Sequence, residues 1–110
     1  MPIANVVTME AAADLDAEAV LDIWSAEAGV SSEQMTINVI RATRQAGARF
    51  AAMAFLYLPS LWDAQQVRSL QLGLATALAR CSRLPAEEIQ VVTSIVESGH
   101  AVEKGEVQDW

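Results

Sequence analysis

Two stretches decide how this chain folds: Ser32-Glu33-Gln34-Met35-Thr36-Ile37-Asn38-Val39-Ile40 and Ala86-Glu87-Glu88-Ile89-Gln90-Val91-Val92-Thr93-Ser94. Few positions are identical, but both run from a short acidic lead into a β-branched segment that reads as a strand. The segments before them also match in kind. Residues 2–8 alternate loosely and are rich in β-branched residues, which predicts a strand. Asp14 or Asp16 then caps a helix over 15–28, with Val20, Leu21, Trp24 and Ala28 on its apolar stripe, and Gly29 ends it. The strand opened by Ile37 continues to Thr43 or Arg44, and Gln45-Ala46-Gly47 turns the chain.

The second half repeats the order. Phe50 to Leu58 is an unbroken apolar run, the pattern of a strand buried on both faces, and Pro59 ends it. Ser60 with Asp63 resembles a capping box for a helix over 61–81, whose stripe is Val67, Leu70, Leu74, Ala77 and Leu78. Pro85 to Glu88 is a turn before a strand over 89–96, and Gly99 and Gly105 punctuate a tail suited to a small hairpin. The expected fold is α+β. Two β-α-β units, about 2–47 and 49–110, form a four-stranded mixed sheet with both helices on one face, and residues 1–110 make a single domain. Nothing in the chain is left to cover the other face of that sheet, so self-association is expected.

Composition narrows the function. Hydrophobic residues are 53% of the 110 and aromatics only 5%, an aliphatic surplus that fits a subunit buried against copies of itself. No run approaches the roughly 18 apolar residues of a membrane span. The start lacks the basic region and apolar core of a signal peptide, and a cytoplasmic location is expected. The net charge of −7 argues against a nucleic-acid partner. Of the basic residues, Arg41, Arg44 and Arg49 form the only local cation cluster. Cys81 is the sole cysteine and reads as a small core residue. The helix acids have no histidine beside them and read as a solvated face, so no metal and no cofactor is expected.

Pro2 is the position with chemistry to offer. Methionine before a small second residue is commonly trimmed, which frees a secondary amine able to act as nucleophile or proton carrier. The start Pro2-Ile3-Ala4-Asn5-Val6-Val7 resembles that of 4-oxalocrotonate tautomerase. Ile89-Gln90-Val91-Val92-Thr93-Ser94-Ile95-Val96-Glu97-Ser98-Gly99-His100 resembles that enzyme's second strand and Gly-His turn, and Lys104-Gly105-Glu106 stands where it has Gly-Gly-Glu. On these residues the chain resembles the tautomerase superfamily, and its doubled length resembles the members that assemble as trimers.

The resemblance implies a β-α-β-β-α-β subunit, three of which pack their sheets around one axis. It also implies an amino-terminal proline in an apolar pocket near a subunit boundary, moving a proton between carbon and oxygen of a small enol or 2-oxo acid, or in some members, as a related lyase, helping to hydrate or decarboxylate a small acid. Burial and nearby cations keep such an amine neutral and basic, and hydrogen-bonding or positive groups stabilise the enolate. The family's substrate-binding arginines have no counterpart in place. Ala12 stands at the first helix, Gln90 in the later strand, Thr36 or Asn38 in the earlier one, and Leu58, Ser60, Leu61 and Trp62 surround Pro59. The candidate set is therefore Pro2 as catalyst, with Arg41, Asn38 and Gln90 binding a small-molecule acid. Arg41 and Arg44 differ by three and would face opposite ways on a strand; Arg41 is preferred.

Other residues have plainer readings. His100 reads as an exposed turn residue, Trp24 as core, and Trp62 and Trp110 as interface anchors. The alternative to a homotrimeric tautomerase is a non-catalytic subunit that keeps the fold for assembly or ligand binding. The order of elements also fits a ferredoxin-like regulatory module, which gives Pro2 no role.

Overall fold

The computed structural model describes residues 1–110. In chain order it contains β1 (Ile3–Thr8), α1 (Ala17–Ala28), β2 (Thr36–Arg41), β3 (Ala52–Pro59), α2 (Ala64–Ser82), β4 (Ile89–Val96), and the short strands β5 (Val102–Glu103) and β6 (Glu106–Val107). The sheet order is β2-β1-β3-β4, with β1 parallel to β2, β3 parallel to β4, and β1 antiparallel to β3. The two β-α-β units thus join through their first strands. The internal echo extends to the connections, because a single 3-10 turn precedes the second strand of each unit, at Ser32–Gln34 and Ala86–Glu88.

Local chemistry sets the helix ends. Asp16 Oδ1 accepts the Glu18 and Ala19 amides at 3.0 and 3.4 Å, which starts α1 at Ala17 rather than 15. Gly29 closes α1 in the left-handed region at φ 67°, a conformation that a side chain would oppose. The start of α2 differs from the expected 61. Asp63 is its cap, with Oδ1 accepting the Gln66 amide at 2.8 Å. Ser60 cannot take that part, because its own amide still donates to Val96 O at 2.9 Å and holds the chain in the β3–β4 ladder. The helix begins only after Leu61 and Trp62 have turned the backbone away.

The second strand also ends earlier than expected. Ala42 N donates to Thr8 O as the last link to β1, and Met9 N turns instead to Ala51 O. With no partner strand beyond Thr8, β2 stops at Arg41 and Arg44 lies in the loop. The argument from strand alternation between those two arginines therefore does not apply.

Both helices cover one face of the sheet. Beneath them Ala4, Val6, Ala52, Ala54, Leu56 and Leu58 are buried, small residues on the central strands facing larger ones on the helices. Trp24 fills the centre, and its indole Nε1 donates to Leu70 O at 3.0 Å. The helices approach closely at Gly73, where an added Cβ would stand 3.1 Å from Glu27 Cβ. The other face carries Ile3, Val7, Ile40, Met53, Phe55, Tyr57 and Val92. Phe55, Tyr57, Val92 and Ile40 remain 38, 37, 47 and 49% exposed. The reading of Phe50 to Leu58 as a strand buried on both faces is not met within one chain, because the only two helices lie on the same side. No helix is long and apolar enough to cross a membrane.

Candidate functional site at the chain start

The head of β1 fixes Pro2. Thr36 N donates to Pro2 O at 2.9 Å, the first link between β1 and β2. Alternation along β1 sends the Pro2 side chain to the same side as Ala4, Val6 and Thr8, and its ring is fully buried. Met35 and Leu58, at the starts and ends of the flanking strands, are buried as well. While Met1 is attached, the proline nitrogen is a tertiary amide, with neither a proton nor basicity.

A cleft of about 440 Å³ opens beside this point, lined in part by Met1, Ile3, Glu33, Thr36, Glu103 and Lys104. The tail delivers the last two. Gly99 N donates to Gln108 O and Gln108 N to Ala101 O, tying the strands of the tail together. The two-residue tip, Lys104 and Gly105, turns with φ 53° and 79°. The chain end is clasped by Trp110, whose amide donates to Ser98 Oγ and whose indole donates to Ser60 Oγ, both at 2.8 Å. Trp110, expected as an interface anchor, thus bonds within its own chain, and Trp62 packs partly buried against the core.

The four candidate residues do not converge within one chain. Asn38 lies on the open face, where its Nδ2 donates to Asn5 Oδ1 at 2.9 Å. Gln90 is on the same face but on the opposite outer strand, with two strands between them, about 14 Å at normal strand spacing. Arg41 is five residues along β2 from Thr36, about 17 Å from the head of β1, and is ion-paired with Glu10. Pro2 alone is flanked by residues that line the cleft, Met1 and Ile3, although its own ring is packed into the core. Three of the ionisable groups lining it, Glu33, Glu103 and Lys104, were not singled out from the sequence. The Lys104-Gly105 pair signals a tight hairpin tip, but nothing local says where that tip lands.

Elsewhere, a cleft of about 410 Å³ is lined by Ala12, Asp14, Cys81 and Arg83 among others. Burial pushes the Cys81 thiol up from its usual range and the charge of Asp16 adds to this, so the sulfur is held as the unreactive thiol. His100 sits exposed in the turn before the hairpin, its amide donating to Glu97 O.

Neither a protein-family model nor a curated protein matches the sequence. The fold is a different matter. Native fused 4-OT superimposes with a TM-score of 0.79 at 12% identity, over 96% of this chain and 94% of that one. A fused 4-OT wild-type symmetric trimer gives 0.77 at 14%, over 96 and 94%. N1, a member of the cis-3-chloroacrylic acid dehalogenase family, gives 0.69 at 20%, over 96 and 82%. The chain has the tautomerase-superfamily fold. The resemblance read at Pro2 and along 89–106 is thereby matched by the backbone over 96% of the chain.

Proposed function

We propose that this chain is a tautomerase or related isomerase of a small enol or 2-oxo acid, with Pro2 as general base once Met1 has been removed. The observation that carries the reading is the fully buried Pro2 at the head of β1, beside a cleft that contains a cation, in a tautomerase fold. Removal of Met1 exposes a secondary amine on a buried ring; that burial disfavours the charged form while Glu33 and Glu103 favour it, and the neutral fraction is the base. That base takes a carbon-bound proton and returns it elsewhere on the same substrate. Lys104 supports the substrate carboxylate. Glu33 and Glu103 leave the cleft with more negative than positive side chains, which favours a monoacid over a diacid.

The reading includes a homotrimer. Its support is the uncovered apolar face and the trimeric state of the fused 4-OT proteins. Since Arg41 and Gln90 lie far from Pro2 in one chain, and Asn38 is on the face opposite its ring, any part they play at its nitrogen is played from a neighbouring copy.

The test is a substrate panel, led by an enol acid such as phenylenolpyruvate, on protein whose amino terminus has been read by intact mass. Protein beginning at Pro2 is expected to ketonise the substrate, and Pro2→Ala to lose about 10²- to 10⁴-fold in kcat/KM. Undiminished activity in Pro2→Ala removes the proline from the mechanism.

A second reading is favoured by one specific observation: no arginine lines the cleft. On it, the chain keeps the fold as a non-catalytic assembly or ligand-binding subunit. Retention of Met1 in protein from its own cells, with the panel unconverted, selects this alternative.

A further inference from the structure

The opposite end of the sheet gathers cations. The loop between β2 and β3 runs over residues 42–51, and both its feet are tied to the end of β1, through Ala42 N to Thr8 O and Met9 N to Ala51 O, each at 2.9 Å. Gln45 braces it from inside. Its Oε1 accepts the Phe50 amide at 2.9 Å, and its Nε2 lies 3.5 Å from Met53 Sδ. Gly47 at φ 87° lets the chain double back. The result is that Arg44 and Arg49, five residues apart, line one cleft of about 550 Å³ together with Met9, Thr43 and Gln45.

The charges do not cancel there. The ion pairs of the fold are Arg41 with Glu10 and Arg80 with Glu27, so neither Arg44 nor Arg49 has a carboxylate partner. An adjoining cleft of about 230 Å³, which Arg49 also lines, carries Glu10, already held by Arg41, and Glu88. Two guanidiniums without carboxylate partners line this one cleft, in a chain of net charge −7. Each presents a planar fork of donors matched to a carboxylate or phosphate.

We propose that this loop cleft binds a small dianion, a dicarboxylate or a phosphate group, between Arg44 and Arg49. The site is separate from the chain start and owes nothing to Pro2. The dianion replaces the missing carboxylate partners, and because both arginines are exposed the affinity falls as salt rises.

The probes are malonate and inorganic phosphate, titrated separately into the full-length protein while the amide spectrum is followed by NMR. Saturable shifts confined to residues 42–51 and their neighbours are expected with at least one probe. The probe that saturates first separates a carboxylate site from a phosphate site. The double variant Arg44→Gln/Arg49→Gln weakens binding about tenfold or more while keeping the spectrum of the folded chain, whereas Pro2→Ala leaves the affinity within about twofold. Absence of saturable shifts with both probes up to about 20 mM, or equal affinity in the double variant, overturns the proposal. Because the readout is binding at the loop, its failure leaves the Pro2 reading standing, and the converse also holds.

Discussion

One sheet has two faces built from the same strands, and they meet opposite fates. On the helix side Ala4, Val6, Ala52, Ala54, Leu56 and Leu58 are closed over by α1 and α2. On the other side Ile40, Phe55, Tyr57 and Val92 stay open, with a bonded asparagine pair, Asn5 and Asn38, among them. Both faces are largely apolar, so hydrophobicity alone does not separate them. What separates them is that each β-α-β crossover returns on the same side. The lesson is that burial pressure on the open face is left for contacts outside the chain.

The comparison is broken most severely on the covered face. Trp24→Ala is expected to cost about 3–5 kcal/mol in denaturant unfolding at fixed protein concentration, from the cavity and from the lost indole bond to Leu70 O. Gly73→Val forces a side chain into the 3.1 Å approach to Glu27 and is expected to cost about 1–3 kcal/mol. Asp63→Ala removes the cap of α2, worth about 1 kcal/mol by the same measurement. The smallest effect on the fold of a single chain comes from the open face. Phe55→Asp is expected to change that fold by about 1 kcal/mol or less, from a half-buried position on a central strand. It is nevertheless expected to abolish self-association, so that light scattering reads the 11.8 kDa of one chain with the far-UV spectrum retained. If Phe55→Asp unfolds the protein instead, the two faces are not energetically distinct.

Much of the fold was legible because its signals are local. Asp16 and Gly29 bracket α1 through bonds that span only a few residues, and the period of Leu70, Leu74, Ala77 and Leu78 marks the buried stripe of α2. Repetition of the unit predicted the four-stranded sheet and that both helices share one side of it. Element ends misread from the sequence share one cause. Ser60 looked like a cap, and Arg44 like a strand residue, until the ladder partners of β3 and β2 were known. Those partners lie 33 residues or more away, as the Ser60–Val96 and Thr8–Ala42 bonds show, and no local pattern announces them.

The candidate site divides in the same way. Pro2 was legible from its position next to Met1 and from the strand it heads. Asn38 and Gln90 were chosen by where an arginine stands in related chains and Arg41 from the cation cluster at 41–49; within one copy Asn38 and Arg41 are on β2 and Gln90 is on β4. Lys104 and Glu33 were not chosen, because Lys104 reaches the chain start only when the tail folds back and Glu33 only when β2 pairs with β1. Arg44 and Arg49 were visible only as a cluster in sequence; the loop braced by Gln45 is what brings both to the lining of one cleft.

By itself the sequence determined the alternation, the caps, the glycine stops and the doubled unit, since each depends on residues within a few positions of one another. Tertiary structure alone decided which side of the sheet is covered in full, where the hairpin tip comes to rest, and which charged groups share a cleft. These follow from strand register and from the packing of distant segments, where a displacement of a single strand spacing, about 4.8 Å, is enough to separate or unite a pair of side chains.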